Sequence, residues 1–164
     1  MAKSLYENLK VAFPELKNVP LPEELDHFEH LMTWLNTEQI NLQRLDPNDL
    51  SLKQLSQCYR LQQLNIDLDE LKNEIREELH SVSTFYEDDE EQMQQPLDAM
   101  YDSAISDNVI LNTLQVFIEP YDLAVVVLAY QQPYWMIVPN QAELLQALKK
   151  SYTHIFGDDF SVLA

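Results

Sequence analysis

An uninterrupted apolar run from Leu123 to Tyr130 is the feature that most constrains the fold. A valine-rich run with no alternating polar residues predicts a strand that is covered on both faces. Tyr134 to Val138 predicts a second strand after the turn 131–133, and alternating apolar and polar residues after Asn112 predict a strand before the run. Short connections favour an antiparallel meander. Residues 160–163 either add a short edge strand to this sheet or pack against it.

The N-terminal part of the chain has helical periodicity. Leu5, Leu9 and Phe13 recur every four residues, which predicts a first helix that ends before Pro14. A second amphipathic helix is expected from about Pro22, because a proline followed by two glutamates suits a first helical turn. Each helix would turn one apolar stripe towards the core.

Segment 47–82 has a nearly heptad-like apolar pattern and permits two interpretations. It can form one long helix, or it can break near Asn65 into two antiparallel helices. Asp67 followed by Glu70 resembles a capping box, which marks the start of a helix. The break is favoured, because a single helix of this length would leave its apolar stripe exposed.

Helices precede strands along the chain, which predicts an α+β fold rather than βαβ alternation. A final helix is expected from Asn140 to Gly157, the only glycine of the chain. We therefore expect one globular domain over 1–164. It consists of an N-terminal helical half, about 1–105, followed by a three-stranded antiparallel meander and a C-terminal helix over about 110–164. With 46% hydrophobic residues, a chain of this length can bury such a core.

Residue counts exclude several functional classes. With one glycine the chain has neither a phosphate-binding loop nor a dinucleotide fingerprint, since both need glycine-rich turns. The single cysteine, Cys58, excludes an internal disulfide and a multi-cysteine zinc site. The first residues lack the unbroken apolar core of a secretory signal, and no apolar run approaches the roughly 20 residues of a membrane-spanning helix. A cytoplasmic protein with no membrane partner is expected.

Charge is segregated along the chain. The formal net charge is −18, and no Lys or Arg lies between Arg76 and Lys149, an interval that contains thirteen Asp or Glu. Such a surface repels nucleic acid and anionic membranes, so the predicted partner is a basic protein, without direct nucleic-acid binding. Aromatic residues cluster at the meander turns; core packing is the expected role for most of them, and the others would serve as interface anchors. The predicted partner-binding residues are Glu77, Glu78, Glu87, Asp88, Asp89, Glu90, Glu91, Asp98, Asp102, Tyr134 and Trp135.

These observations favour a non-enzymatic acidic module that inhibits or neutralises a basic partner. In general character, as a small acidic protein, the chain resembles bacterial immunity proteins, although no sequence motif carries this resemblance. One alternative is a nucleic-acid mimic, in which carboxylates replace phosphates. Another is a secretion-type chaperone, which would need a dimer with exposed apolar grooves. The oligomeric state is left open.

Metal-dependent chemistry is the enzymatic alternative. Two Glu-x-x-His pairs occur, Glu24 with His27 and Glu77 with His80. This spacing projects two ligands from one helix face, as in di-iron bundle sites. His27 and His30 can also bind a metal together with Glu23 or Glu24. Because fifteen glutamates make such spacings common by chance, solvated side chains are the simpler interpretation, and neither an enzyme nor a cofactor is predicted.

Overall fold

A four-stranded antiparallel sheet forms the centre of the fold, with helices on both of its faces. The structure is a computed structural model that describes residues 2–44, 52–87, 109–130, 132–157 and 160–163. The strands are β1 (Gln43–Arg44), β2 (Leu123–Tyr130), β3 (Gln132–Pro139) and β4 (Phe160–Val162), in the order β1-β3-β2-β4. The helices are α1 (Ala2–Ala12), α2 (Phe28–Leu35), α3 (Lys53–Gln57), α4 (Tyr59–Gln63), α5 (Leu68–Glu87), α6 (109–118) and α7 (Ala142–Phe156).

The α+β class is confirmed, but the sheet has four strands rather than three. β2 and β3 form the predicted antiparallel hairpin, in register from the pair Leu123 and Pro139 to the pair Tyr130 and Gln132. The outer strands come from distant segments: β1 pairs with β3, and β4 pairs with β2 as an edge strand. The part of the chain that was predicted to be wholly helical therefore contributes one strand to the sheet.

Residues 109–118 form helix α6, where the alternating pattern predicted the first strand of the meander. The buried apolar residues of this segment share one helical face and are Ile110, Leu111, Leu114 and Ile118. A strand interpretation would bury Val116 together with Leu114 and Ile118, but Val116 is 66% exposed. Pro120 follows in a 3-10 turn, Glu119–Tyr121, which ends the helix before β2.

The prediction that the central strand is covered on both faces is confirmed. Alternate residues of β2 and β3 pack into two separate cores. Val126 and Met136 pack with residues of α1, α2 and α7 on one face of the sheet. Val125 and Ile137 pack with residues of α3, α4, α5 and α6 on the other face. The sheet therefore separates two helical layers.

The predicted break near Asn65 is also confirmed. Asp67 caps α5, because its Oδ1 accepts hydrogen bonds from the backbone N–H groups of Asp69, at 3.0 Å, and Glu70, at 3.2 Å. Before the break, α3 and α4 are two short helices rather than one. Residues 47–51 of the predicted helix lie outside the described part of the chain.

The first and last helices form in the predicted segments, whereas α2 begins later than expected. The backbone from Pro22 to His27 is not helical, and the helix begins at Phe28. α7 begins at Ala142, and Gly157 ends it with a φ of 102°. No helix in the described ranges is long and apolar enough to cross a bilayer.

Candidate functional site

Helix α5 has a buried apolar side and an exposed carboxylate side. Leu71 and Ile75 are buried in the core that α5 shares with α6. Glu70, Glu74 and Glu78 are exposed and follow one another at intervals of four residues, which places them along one side of the helix. Like charges at this spacing repel each other, so packing of the apolar side holds the carboxylates in this arrangement.

A buried glutamine fixes the orientation of α6 against the sheet. Gln115 Oε1 accepts a hydrogen bond from the backbone N–H of Val125 at 2.7 Å, and its Nε2 donates to the Leu123 carbonyl at 3.2 Å. These two bonds fix the rotation of α6 about its own axis. Of the next two residues, Val116 is exposed, whereas Phe117 is half-buried and packs against the core on this face of the sheet.

An open groove of about 360 Å³ lies between α5 and α6. Its α5 side is formed by Glu74 and Glu78, and its α6 side by Asn112, Thr113, Val116 and Phe117. Val116 is the most exposed large hydrophobic side chain in the described part of the chain. A Lys or Arg side chain suits such a groove, because its aliphatic stem packs on apolar surface while its charged head reaches a carboxylate.

The carboxylates of this groove have no Lys or Arg partner among the described residues. In those ranges, Lys10 with Glu7, at 3.5 Å, is the one pair in which a Lys or Arg nitrogen lies within 4.0 Å of a carboxylate oxygen. Lys72 and Arg76 of α5 donate instead to a serine hydroxyl, at 2.5 Å, and to an asparagine amide oxygen, at 3.3 Å. The groove carboxylates therefore form no described salt bridge with a Lys or Arg and are free to contact a positive ligand.

The acids predicted to bind a partner are only partly described by the structure. Glu77 and Glu78 are exposed on α5, and Glu78 lines the groove. Glu87 is the last residue of α5. The remaining predicted acids, Asp88, Asp89, Glu90, Glu91, Asp98 and Asp102, lie outside the described residues.

The two predicted aromatic anchors lie in or against the core. Tyr134 is half-buried, and its ring centroid lies 5.0 Å from that of Phe28. Trp135 is only 1% exposed, and its indole N–H donates to Gln54 Oε1 at 3.0 Å. Because β3 directs alternate side chains to opposite faces and both faces are covered, Trp135 is a core residue and is not available as a surface anchor.

The groove residues Glu74, Val116 and Phe117 were not predicted to be functional. The sequence does contain a signal for these residues, but it can be read only after residues 109–118 have been assigned either the 3.6-residue period of a helix or the two-residue period of a strand. With a period of 3.6, Val116 falls opposite the buried face, and an apolar residue in that position marks a candidate contact surface. With a period of two, the same valine is assigned to the core and the signal disappears.

Comparisons with known proteins do not assign a function. The chain matches no protein-family model, no curated protein and no solved structure.

The one cysteine is a poor nucleophile, because Cys58 is buried and burial raises the pKa of its thiol. The geometry and charge of the surface sites therefore carry the functional argument.

A second cluster of chemically versatile side chains lies at the start of α2. One potential ligand atom from each of Glu24, His27 and His30 lies within 4.8 Å of the others, and all three residues are exposed. It is the one such group of three or more residues in the described part of the chain. Glu77 and His80 lie on α5 and do not belong to this group, so the two Glu-x-x-His pairs do not form one site.

Proposed function

We propose that this protein is a non-enzymatic acidic binding module that holds a basic segment of another protein in the groove between α5 and α6. The observation that supports the proposal is the juxtaposition of exposed Val116 with Glu74 and Glu78, which form no salt bridge with a described Lys or Arg. Inhibition of a basic partner, as by an immunity-type protein, follows if the bound segment belongs to the partner's own functional cleft.

Apolar burial and charge have different roles in this proposal. Covering Val116, which is 66% exposed, contributes roughly 1–2 kcal/mol, and each carboxylate contact at the rim contributes roughly 0.2–1 kcal/mol. Nanomolar affinity requires about 12 kcal/mol, so the groove is the centre of a larger contact surface. The acidic stretch 87–91, which begins at the last residue of α5, adds long-range attraction and speeds encounter.

A photocrosslinking residue in the groove tests the proposal in the native host. Benzoylphenylalanine at position 116 is expected to crosslink a basic protein. The matched control carries the same residue at Val11, which is 61% exposed on α1 and lies away from the groove. A product that forms equally from both positions, or a product that is not basic, contradicts the proposal.

Charge variants then test the groove with the purified partner. The double variant Glu74→Gln/Glu78→Gln is expected to weaken binding by about tenfold, because two rim contacts together contribute up to roughly 2 kcal/mol. The control Glu38→Gln/Glu143→Gln removes the same charge from exposed positions elsewhere. Equal losses in the two double variants would show non-specific attraction.

Competition with DNA for the partner would instead support the nucleic-acid-mimic alternative.

A further inference from the structure

Nitrogen and oxygen donors converge where the proline-containing segment meets α2. His27 is the residue that precedes α2, and His30 is the third residue of the helix. Glu24 Oε2 lies 3.1 Å from His27 Nδ1, and the rings of His27 and His30 stack with centroids 5.1 Å apart. Pro20 and Pro22 restrict the backbone that leads to Glu24, so the three donors are held near one another.

We propose that Glu24, His27 and His30 bind one zinc ion. Zinc bonds of about 2.0 Å in a tetrahedral site place neighbouring ligand atoms about 3.3 Å apart, and the oxygen of Glu24 and the nitrogen of His27 already have nearly this separation. All three donor atoms lie within 4.8 Å of one another, and the three side chains are exposed, so they can rotate towards a common ion. Two imidazoles and a carboxylate suit zinc, whereas calcium and magnesium prefer oxygen ligands alone.

Local charge favours a cation here in spite of the helix. The N-terminus of α2 carries partial positive charge, which opposes an exposed cation by roughly 0.3–1 kcal/mol. Glu23, Asp26 and Glu29 are exposed carboxylates beside the three ligands in sequence. Asp26 Oδ1 also lies 3.0 Å from His27 Nδ1, so it adds negative charge directly beside this ligand atom. The carboxylates outweigh the helix dipole.

A cavity of about 430 Å³ borders the proposed zinc site. Its lining includes Glu24 and His30 and extends along α2 to Trp34. Three protein ligands leave the fourth position of a tetrahedral zinc ion open, which is the arrangement of accessible rather than closed zinc sites. The fourth ligand is therefore a water molecule or a small anion that enters from this cavity.

Calorimetric titration of the untagged protein with zinc chloride tests this inference, which is independent of the groove between α5 and α6. One saturable equivalent is expected. His27→Ala, His30→Ala and Glu24→Gln should each lower the association constant by at least about tenfold. His154→Ala, which removes an exposed histidine from α7, should leave it unchanged. In NMR spectra, the ring-proton signals of His27 and His30 should shift with zinc and remain still with calcium.

Three results would overturn the proposed zinc site. The first is the absence of saturable zinc binding. The second is binding of several equivalents that none of the three ligand variants weakens, which would show that zinc collects on the acidic surface in general. The third is an equal loss in His154→Ala, which would show that any exposed histidine suffices. All four substituted side chains are exposed, so circular dichroism should show an unchanged fold in every variant.

Discussion

Replacing Tyr6 by phenylalanine is expected to raise the free energy of unfolding at neutral pH. Tyr6 lies in α1 with 0% of its surface exposed, and its ring meets that of Trp34 edge-on with centroids 4.8 Å apart. Its hydroxyl is buried and has no hydrogen-bond partner among the described residues. Such a group costs about 1–3 kcal/mol, whereas phenylalanine keeps the ring contact and removes the hydroxyl. A gain of about 1 kcal/mol is therefore expected.

The same substitution should remove a loss of stability at high pH. Burial raises the pKa of Tyr6 from 10.0 to about 12. The folded protein thus holds this proton more tightly than the unfolded chain. The stability that this tighter binding contributes is fully present below pH 10 and is lost as the pH rises through 12. The full loss, which is reached only above pH 12, amounts to about 2.7 kcal/mol. The stability advantage of the phenylalanine variant should therefore grow from about 1 to about 3 kcal/mol between pH 10 and pH 12.

Urea unfolding followed by circular dichroism, at neutral pH and between pH 10 and 12, measures both effects. Tyr121→Phe is the matched control, because it deletes the same hydroxyl from a residue that is 42% exposed. The control should change stability by less than about 0.5 kcal/mol. The reasoning is refuted if Tyr6→Phe is destabilising at neutral pH, or if its stability difference from the wild type is the same at every pH.

Two further predictions concern buried polar and thiol groups. Gln115→Ala should lower the free energy of unfolding by about 2–4 kcal/mol in urea titrations, because the Val125 N–H and the Leu123 carbonyl both lose a buried partner; a change below about 0.5 kcal/mol would contradict this. Cys58 should react with a thiol reagent only when the protein opens, because burial raises the pKa of its thiol, so the labelling rate should rise with denaturant. Rapid labelling in native buffer would count against it.

The hairpin of β2 and β3 was predictable because its residues are apolar on both faces and its turn is short. β1 was not predictable in the same way. It consists only of Gln43 and Arg44, two polar residues whose assignment as a strand depends on pairing with Trp135 and Tyr134 far along the chain. The residues around positions 43 and 44 do not indicate this contact, because the pairing of a short edge strand depends on tertiary structure rather than on intrinsic strand propensity.

The error at 109–118 has a different physical origin. Leu114, Val116 and Ile118 do alternate with their neighbours, and the valine and isoleucine residues favour strands. A tertiary contact favours the helix. The Gln115 side chain hydrogen-bonds to the backbone of β2, and this contact requires position 115 to face the sheet. The acidic side of α5 was predictable from charge alone, but the groove could be predicted only if residues 109–118 were assigned to a helix.

Charge and stability oppose each other on α5, and this opposition supports a binding role. Glu70, Glu74 and Glu78 repel one another at helical spacing, and none of them forms a salt bridge with a described Lys or Arg. A solubilising surface needs no such concentration, since the same charge spread over the chain would cost less self-repulsion. A basic segment in the groove would relieve this repulsion while covering Val116. The unbound protein thus retains both an electrostatic and an apolar cost at one place, and a basic ligand of the proposed kind would remove both.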